Sequence, residues 1–367
     1  MQAEDIRPEF CGTDAPLRSE EAMPLRLTIA FSDNPRVQPL KDGAVKPQNI
    51  ELDFITLDPS TLFYRNLFYD EFDVSEMSIS ETLLTRERTD GKKWDWSALP
   101  VFLSRGHHWP YLYVNTASGI ASLADMMGKR IGVPDYDMTA ALWFRVTLKD
   151  LYGIEARDNT WFNGRTRELS HGGALGLDKA GPVGVAHHWL TADQTLDVML
   201  DSGEIDACTA IRPQSCVTAG DPTVIDRWGG TQLLGNPRLR KLLDDNGKAT
   251  VFEFYRKTGF YQTNHHVIVQ NRILRDHPWV ALELFDAFER SKEMAYERAR
   301  RSEATYLYFA GKDLEEQREV FGDDPYPLGL AAMGRNVERA IQGSLEQGLL
   351  TRPLRLEDIY YRTTLKT

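Results

Sequence analysis

The hydrophobic and polar positions of this chain alternate between two periods. Short apolar-rich runs at Leu25–Phe31, Ile50–Ile55, Phe72–Met77, Leu99–Leu103, Tyr111–Asn115, Arg130–Val133, Ile205–Thr209 and His266–Gln270 predict strands. Most alternate with stretches of helical spacing: Ser80–Arg88, Ser122–Met127, Thr139–Tyr152 and Gln194–Asp201. From Pro278 to Phe309 the pattern is continuously helical, with Trp279, Leu282, Phe285, Phe288, Met294 and Ala295 on or near one side. The fold class is α/β. Strand-rich sequence occurs early, in the middle, and once more before a helical tail, which predicts two α/β lobes with one inserted in the other. On this reading residues 24–115 plus 258–367 form the first lobe, 116–257 form the second, and 1–23 are a disordered N-terminal extension.

The stretch Gly128–Tyr152 reads as strand, polar turn and amphipathic helix. Pro134 stops the strand, Ala141, Phe144, Leu148 and Leu151 recur at helical spacing, and Gly153 closes the helix. Asp137 or Thr139 is the expected cap. A helix entered from a strand end presents unpaired N–H groups and the positive end of its dipole, which suit a carboxylate or phosphate. The same pattern also describes an ordinary capped α/β unit.

Charge narrows the partners. A net charge of −11 excludes a nucleic-acid surface, which needs a basic face, and no apolar run is long enough to span a bilayer. An anionic ligand would therefore need Arg, His and backbone donors concentrated locally. The first 22 residues include Glu4, Asp5, Asp14, Glu20 and Glu21 and no apolar core, unlike a secretory signal, so a cytoplasmic location is expected. Cys11, Cys208 and Cys216 stand at no metal-ligand spacing and suit free thiols in a reducing compartment, with Cys208 a small core residue.

Several segments, in order, resemble one family. They are FDVSEMSIS, GKRIGVPDYDMTAALWFRVTLKDLYGI, LDSGEIDACTAIRP, YRKTGFYQTNHHVIV, FGDDPYPLGL and EQGLLTRPL, and together they resemble the 4,5-dihydroxyphthalate decarboxylases from about Leu25 to Tyr361. The resemblance implies a type II periplasmic-binding-protein-like fold, two lobes joined by two crossovers with a ligand in the cleft. It also implies non-oxidative decarboxylation of a hydroxylated aromatic acid, 4,5-dihydroxyphthalate or a close analogue. Two departures bear on the substrate more than on the reaction. The family's PSR segment followed by an Arg-His pair becomes LSRGHHWPYLYV, which keeps Ser104 and Arg105 but displaces the histidines, and Pro-Ile-Met-His becomes Gln262, Thr263, Asn264 and His265.

Loss of CO2 from such a ring needs a proton delivered to the carbon bearing the carboxylate, electron release from a phenol oxygen, and donors that hold the acid groups. Histidine, with an ordinary pKa of about 6.5, suits the proton transfer. Six of the eight histidines form the pairs His107–His108, His187–His188 and His265–His266, and neighbours in a strand point to opposite faces. His265 matches the family histidine and is the expected acid, with His266 in reserve. His107 and His108 are candidate substrate contacts, and His187–His188 reads as structural. Arg105 and Arg212 offer planar forks for carboxylates. Ser78, Ser80 and Thr139 are hydroxyl donors or helix caps, Asn264 is a polar neighbour of the acid, and Glu76 orients a histidine, accepts a phenol proton, or closes a salt bridge. Tyr136 and Trp161 are expected as flat walls of the ligand site, whereas Trp143 is expected in the core.

No HxH, HExxH or CxxC spacing is present, nor any dinucleotide, P-loop or pyridoxal-lysine motif, so no organic cofactor is expected. A divalent metal held by paired histidines and acids stands as an alternative. The expected partner is a small aromatic carboxylate, with neither nucleic acid nor membrane; a homo-oligomer stays open. Two other functions fit such a scaffold: a solute-binding protein for a small organic anion, and a lyase or dehydratase acting on a cyclic carboxylate.

Overall fold

The computed structural model describes residues 23–89, 91–104, 108–209, 217–218, 225–306 and 310–367. The N-terminal extension, Arg105, His107, Arg212, Cys11 and Cys216 lie outside the described residues. In chain order the described strands are β1 (Leu25–Phe31), β2 (Ile50–Thr56), β3 (Val74–Ser78), β4 (Trp96–Ser104), β5 (Tyr113–Asn115), β6 (Arg130–Val133), β7 (Thr160–Asn163), β8 (Ala186–Trp189), β9 (Ala207–Cys208), β10 (Val217–Thr218), β11 (Arg227–Trp228), β12 (Leu239–Lys241) and β13 (His265–Gln270).

Two main sheets organise them. The first has the order β2-β1-β3-β13-β4, with β1, β2 and β3 parallel and β13 running antiparallel between β3 and β4. The second has the order β12-β5-β9-β6-β7-β8, parallel from β9 to β8 and antiparallel at β12 and β5. β10 and β11 form a separate parallel pair. The α/β class and two-lobed architecture hold, with one adjustment of boundary. Tyr113–Asn115, read from sequence as the end of the first lobe, pairs with β9 and β12 and so belongs to the second sheet. The chain thus crosses between Ser104 and Tyr113, and returns between β12 and β13.

β3 and β13 lie inside their sheet and are buried at nearly every position, so their few polar residues need internal partners. That constraint places Glu76, Ser78 and His266 in hydrogen-bond networks. The helix Thr139–Tyr152 spans the expected residues and ends at Gly153, whose φ of 72° supplies the left-handed stop. Its start differs from expectation: Met138 occupies the cap position without a side-chain bond, and Asp137 is instead buried with neither carboxylate oxygen hydrogen-bonded. The tail does not stay with one lobe. Helix Leu330–Glu346 packs against both Ile79–Arg88 and Thr139–Tyr152, and Gln347 just beyond it accepts Arg145 Nε at 2.6 Å and donates to the Leu142 carbonyl at 3.1 Å. Among the described residues no helix is long and apolar enough to cross a membrane.

Candidate active site

A cavity of about 370 Å³ opens where β3 and β6 end and two helices begin. This is the position expected of a ligand site in α/β sheets, outside the carboxyl ends of strands. Its wall includes Ser78, Ser104, His108, Met138, Thr139, Ala140, Asn264 and His265 on one side.

His265 reaches it through strand register. It lies opposite Ser78 on β3 and Ser104 on β4, at the edge where β13 enters the sheet. Its Nδ1 is 2.7 Å from Glu76 Oε1, and the other Glu76 oxygen accepts the Ser32 backbone N–H at 2.9 Å and the Ser32 hydroxyl at 2.6 Å. Burial works to raise the Glu76 carboxyl, but the hydrogen bond and charge of His265, with those from Ser32, hold it below its ordinary value. An ionised Glu76 accepts from Nδ1–H and so fixes the tautomer, leaving Nε2 to exchange protons. Among the described residues Nε2 has no hydrogen-bond partner, and Phe63 packs edge-on against the ring with centroids 4.8 Å apart.

Beside it the two helix starts meet. Ser78 caps Ile79–Arg88 by accepting the Glu81 N–H, and its hydroxyl lies 2.8 Å from that of Thr139, which also accepts the Ser80 N–H at 3.0 Å. The backbone N–H groups of Thr139, Ala140 and Ala141 have no acceptor among the described residues, and Thr139 and Ala140 line the cavity. They form the donor end that the sequence pattern anticipates. His108 completes this side, with Nδ1 bonded to the Thr209 hydroxyl.

A second group of lining residues carries no signal in the sequence. Arg165 is buried, and its Nη1 donates to Asp135 at 3.2 Å, its Nε to Asp226 at 2.8 Å, and its Nη2 to the Ser60 hydroxyl at 2.8 Å. His171 places Nδ1 2.9 Å from Glu81 Oε1 and Nε2 2.9 Å from the Ser60 carbonyl, so it joins the lobes. Asp135 also accepts the His171 backbone N–H at 2.9 Å and the Ser170 hydroxyl. Burial, together with the charges of Asp135 and Glu81, raises the Asp137 carboxyl well above the ordinary range.

Several expected contacts fall elsewhere. His266 points to the other face of β13, bonded to Thr82 Oγ1 at 2.9 Å and Tyr360 Oη at 3.1 Å, and burial pushes its pKa down to about 3. It is a neutral core histidine. Tyr136 and Trp161 are not cavity walls, because their polar tips are satisfied inside the core by the Gln347 and Ala156 carbonyls; Phe63 and Trp228 line the cavity instead. The Ser80 hydroxyl is buried without a partner and does not line the cavity. His187 is half-buried in β8, and the loss of solvation pushes its pKa down to about 4, as befits a structural residue. Among the described residues no three His, Cys, Asp or Glu side chains are grouped to hold one metal ion.

The fold and this cavity define a two-lobed ligand-binding scaffold of the periplasmic-binding-protein type. The solved structure of the periplasmic aliphatic sulphonate binding protein SsuA from Escherichia coli matches it with a TM-score of 0.50 at 12% identity, over 93% of this chain and 99% of that one. No protein-family model matches the chain. The 4,5-dihydroxyphthalate decarboxylase of Comamonas testosteroni is 30% identical over 345 residues, which cover 94% of this chain and 98% of that protein. A second, from Pseudomonas putida, is 36% identical over 200 residues, 54% of this chain and 76% of that protein. The chain belongs to the 4,5-dihydroxyphthalate decarboxylase family. It is an enzyme, a carboxy-lyase.

Proposed function

We propose that the enzyme removes CO2 without oxidation from 4,5-dihydroxyphthalate or a close analogue held in the cavity, with His265 as the proton donor. The supporting observation is the His265–Glu76 pair, which leaves Nε2 of a cavity-lining histidine free beside helix N–H groups that have no acceptor among the described residues. In this substrate each carboxylate is para to a ring hydroxyl, so electron density from that oxygen reaches the carbon that bears the carboxylate. Nε2–H of the imidazolium gives its proton to that carbon. The C–CO2 bond then breaks, its electron pair restores the aromatic ring, CO2 departs, and solvent reprotonates the imidazole. Glu76 stabilises the imidazolium without itself taking the proton.

The carboxylate that stays is held by the N–H groups at the start of Thr139–Tyr152 and by the fork of Arg105, which follows cavity-lining Ser104. The names of the relatives support this substrate, and so does the chemistry of the wall. The test is incubation of the protein with a panel of hydroxylated phthalates and benzoates, following CO2. Release from 4,5-dihydroxyphthalate with formation of 3,4-dihydroxybenzoate is expected; binding of these acids without any CO2 release would favour solute capture and overturn the reading.

A further inference from the structure

The part of the cavity around Ser60 holds more hydrogen-bond acceptors than a carboxylate subsite needs. Glu81, from the first lobe, lines it; Oε1 meets His171, while Oε2, on a residue only 1% exposed, has no partner among the described residues. A buried carboxylate oxygen without a donor is costly, and a ligand O–H removes that cost. Asp226, from the second lobe, accepts Arg165 Nε at 2.8 Å, Arg165 Nη2 at 3.3 Å and the Ser60 hydroxyl at 2.7 Å. That occupies three of a carboxylate's roughly four acceptor positions. Its side chain keeps 34% of its surface accessible and lines the cavity. A continuous chain of bonds from Glu81 through His171 to the Ser60 carbonyl, and from the Ser60 hydroxyl to Asp226, fixes the two acids around one residue.

A ligand carboxylate finds little attraction here. Among the described residues lining this part of the cavity, the buried guanidinium of Arg165 is already engaged by Asp135, Asp226 and Ser60. Asp226 is an acceptor only: burial acts to raise its carboxyl, but the charge and hydrogen bonds of Arg165, with that of Ser60, hold it below its ordinary value.

We infer that Glu81 and Asp226 read the ring hydroxyls of the substrate, each accepting one of two adjacent O–H groups, while the carboxylates face the start of helix Thr139–Tyr152. The inference deepens the decarboxylase reading and rests on it for the identity of the ring. It also gives these residues a part in the rate: a phenol that donates to a carboxylate releases more electron density to the para carbon, the one that loses CO2.

Calorimetric binding of 3,4-dihydroxybenzoate and of benzoate to the full-length protein tests this without using turnover. Wild-type protein is expected to prefer the dihydroxy acid. Asp226→Asn and Glu81→Gln should each reduce that preference tenfold or more while changing benzoate affinity less than threefold. Ser60→Ala, which removes the hydroxyl that donates to Asp226 and accepts from Arg165 Nη2, should give a smaller reduction and serves if either acid variant fails to fold. A wild-type protein with no preference, or a preference unchanged in the folded variants, overturns the inference. Failure of the decarboxylase reading registers separately, as absence of CO2 release.

Discussion

Ser78 and Thr139 touch hydroxyl to hydroxyl, 2.8 Å apart, although one ends a strand of the first sheet and the other begins a helix attached to the second. Ser78 is also the register partner of His265, so this contact sets where the donor N–H groups stand relative to the acid. Thr139→Val keeps the shape but leaves the buried Ser80 N–H without its acceptor. A loss of about 1–3 kcal/mol in denaturant unfolding is expected, the usual cost of such an orphan. Unchanged stability would show that the contact does not hold the helix starts together.

His265→Gln keeps polarity and approximate size but has no proton to give. Turnover should fall by about a hundredfold or more, the ordinary reach of general acid catalysis, while 3,4-dihydroxybenzoate still binds. His266→Gln provides the contrast. That ring is neutral and bonded to Thr82 and Tyr360, so its replacement should lower the melting temperature more than it slows chemistry. Equal kinetic losses in the two variants would remove His265 from its role.

Arg105→Lys retains charge and loses the two-pronged donor. We expect a large fall in kcat/KM with an unchanged melting curve, because a point charge does not replace a fork on a carboxylate. Near-normal kinetics would count against Arg105 as an anchor.

These expectations show how much of the site is local in sequence. Helix Thr139–Tyr152 was legible because apolar spacing and a terminal glycine both lie within one stretch; strand divergence implied that one histidine of the 265–266 pair faces away, and the resemblance to the family histidine favoured His265. β7, β8 and β12 were not legible, since TWFN, AHHW and LRK are short and mix polar with aromatic or charged positions, without the aliphatic run that marks β6. The acceptor side was illegible for another reason. Ser60, Glu81, Arg165, His171 and Asp226 come from separate segments and have meaning only once both lobes are folded around the cavity. Asp137 misled for a related cause: it stands where a cap belongs, but it is buried without a hydrogen-bond partner among the described residues, and that burial, with the charges of Asp135 and Glu81, raises its carboxyl.

Asp137 also gives the most direct pH test. Its folded-state carboxyl is raised by burial and by Asp135 and Glu81, whereas in the unfolded chain it ionises near pH 4. Between those two values the unfolded state has released a proton that the folded state retains, so stability from this group is full below about pH 4 and declines as pH rises. Asp137→Asn is neutral in both states and escapes that decline. Against wild type, the variant should therefore gain stability progressively from about pH 4 to pH 7, with little difference at the acid end. Melting temperatures of both proteins across that range decide the matter. A difference that stays constant with pH, or a wild type that gains on the variant as pH rises, would mean that Asp137 is ionised in the folded protein despite its burial beside Asp135 and Glu81.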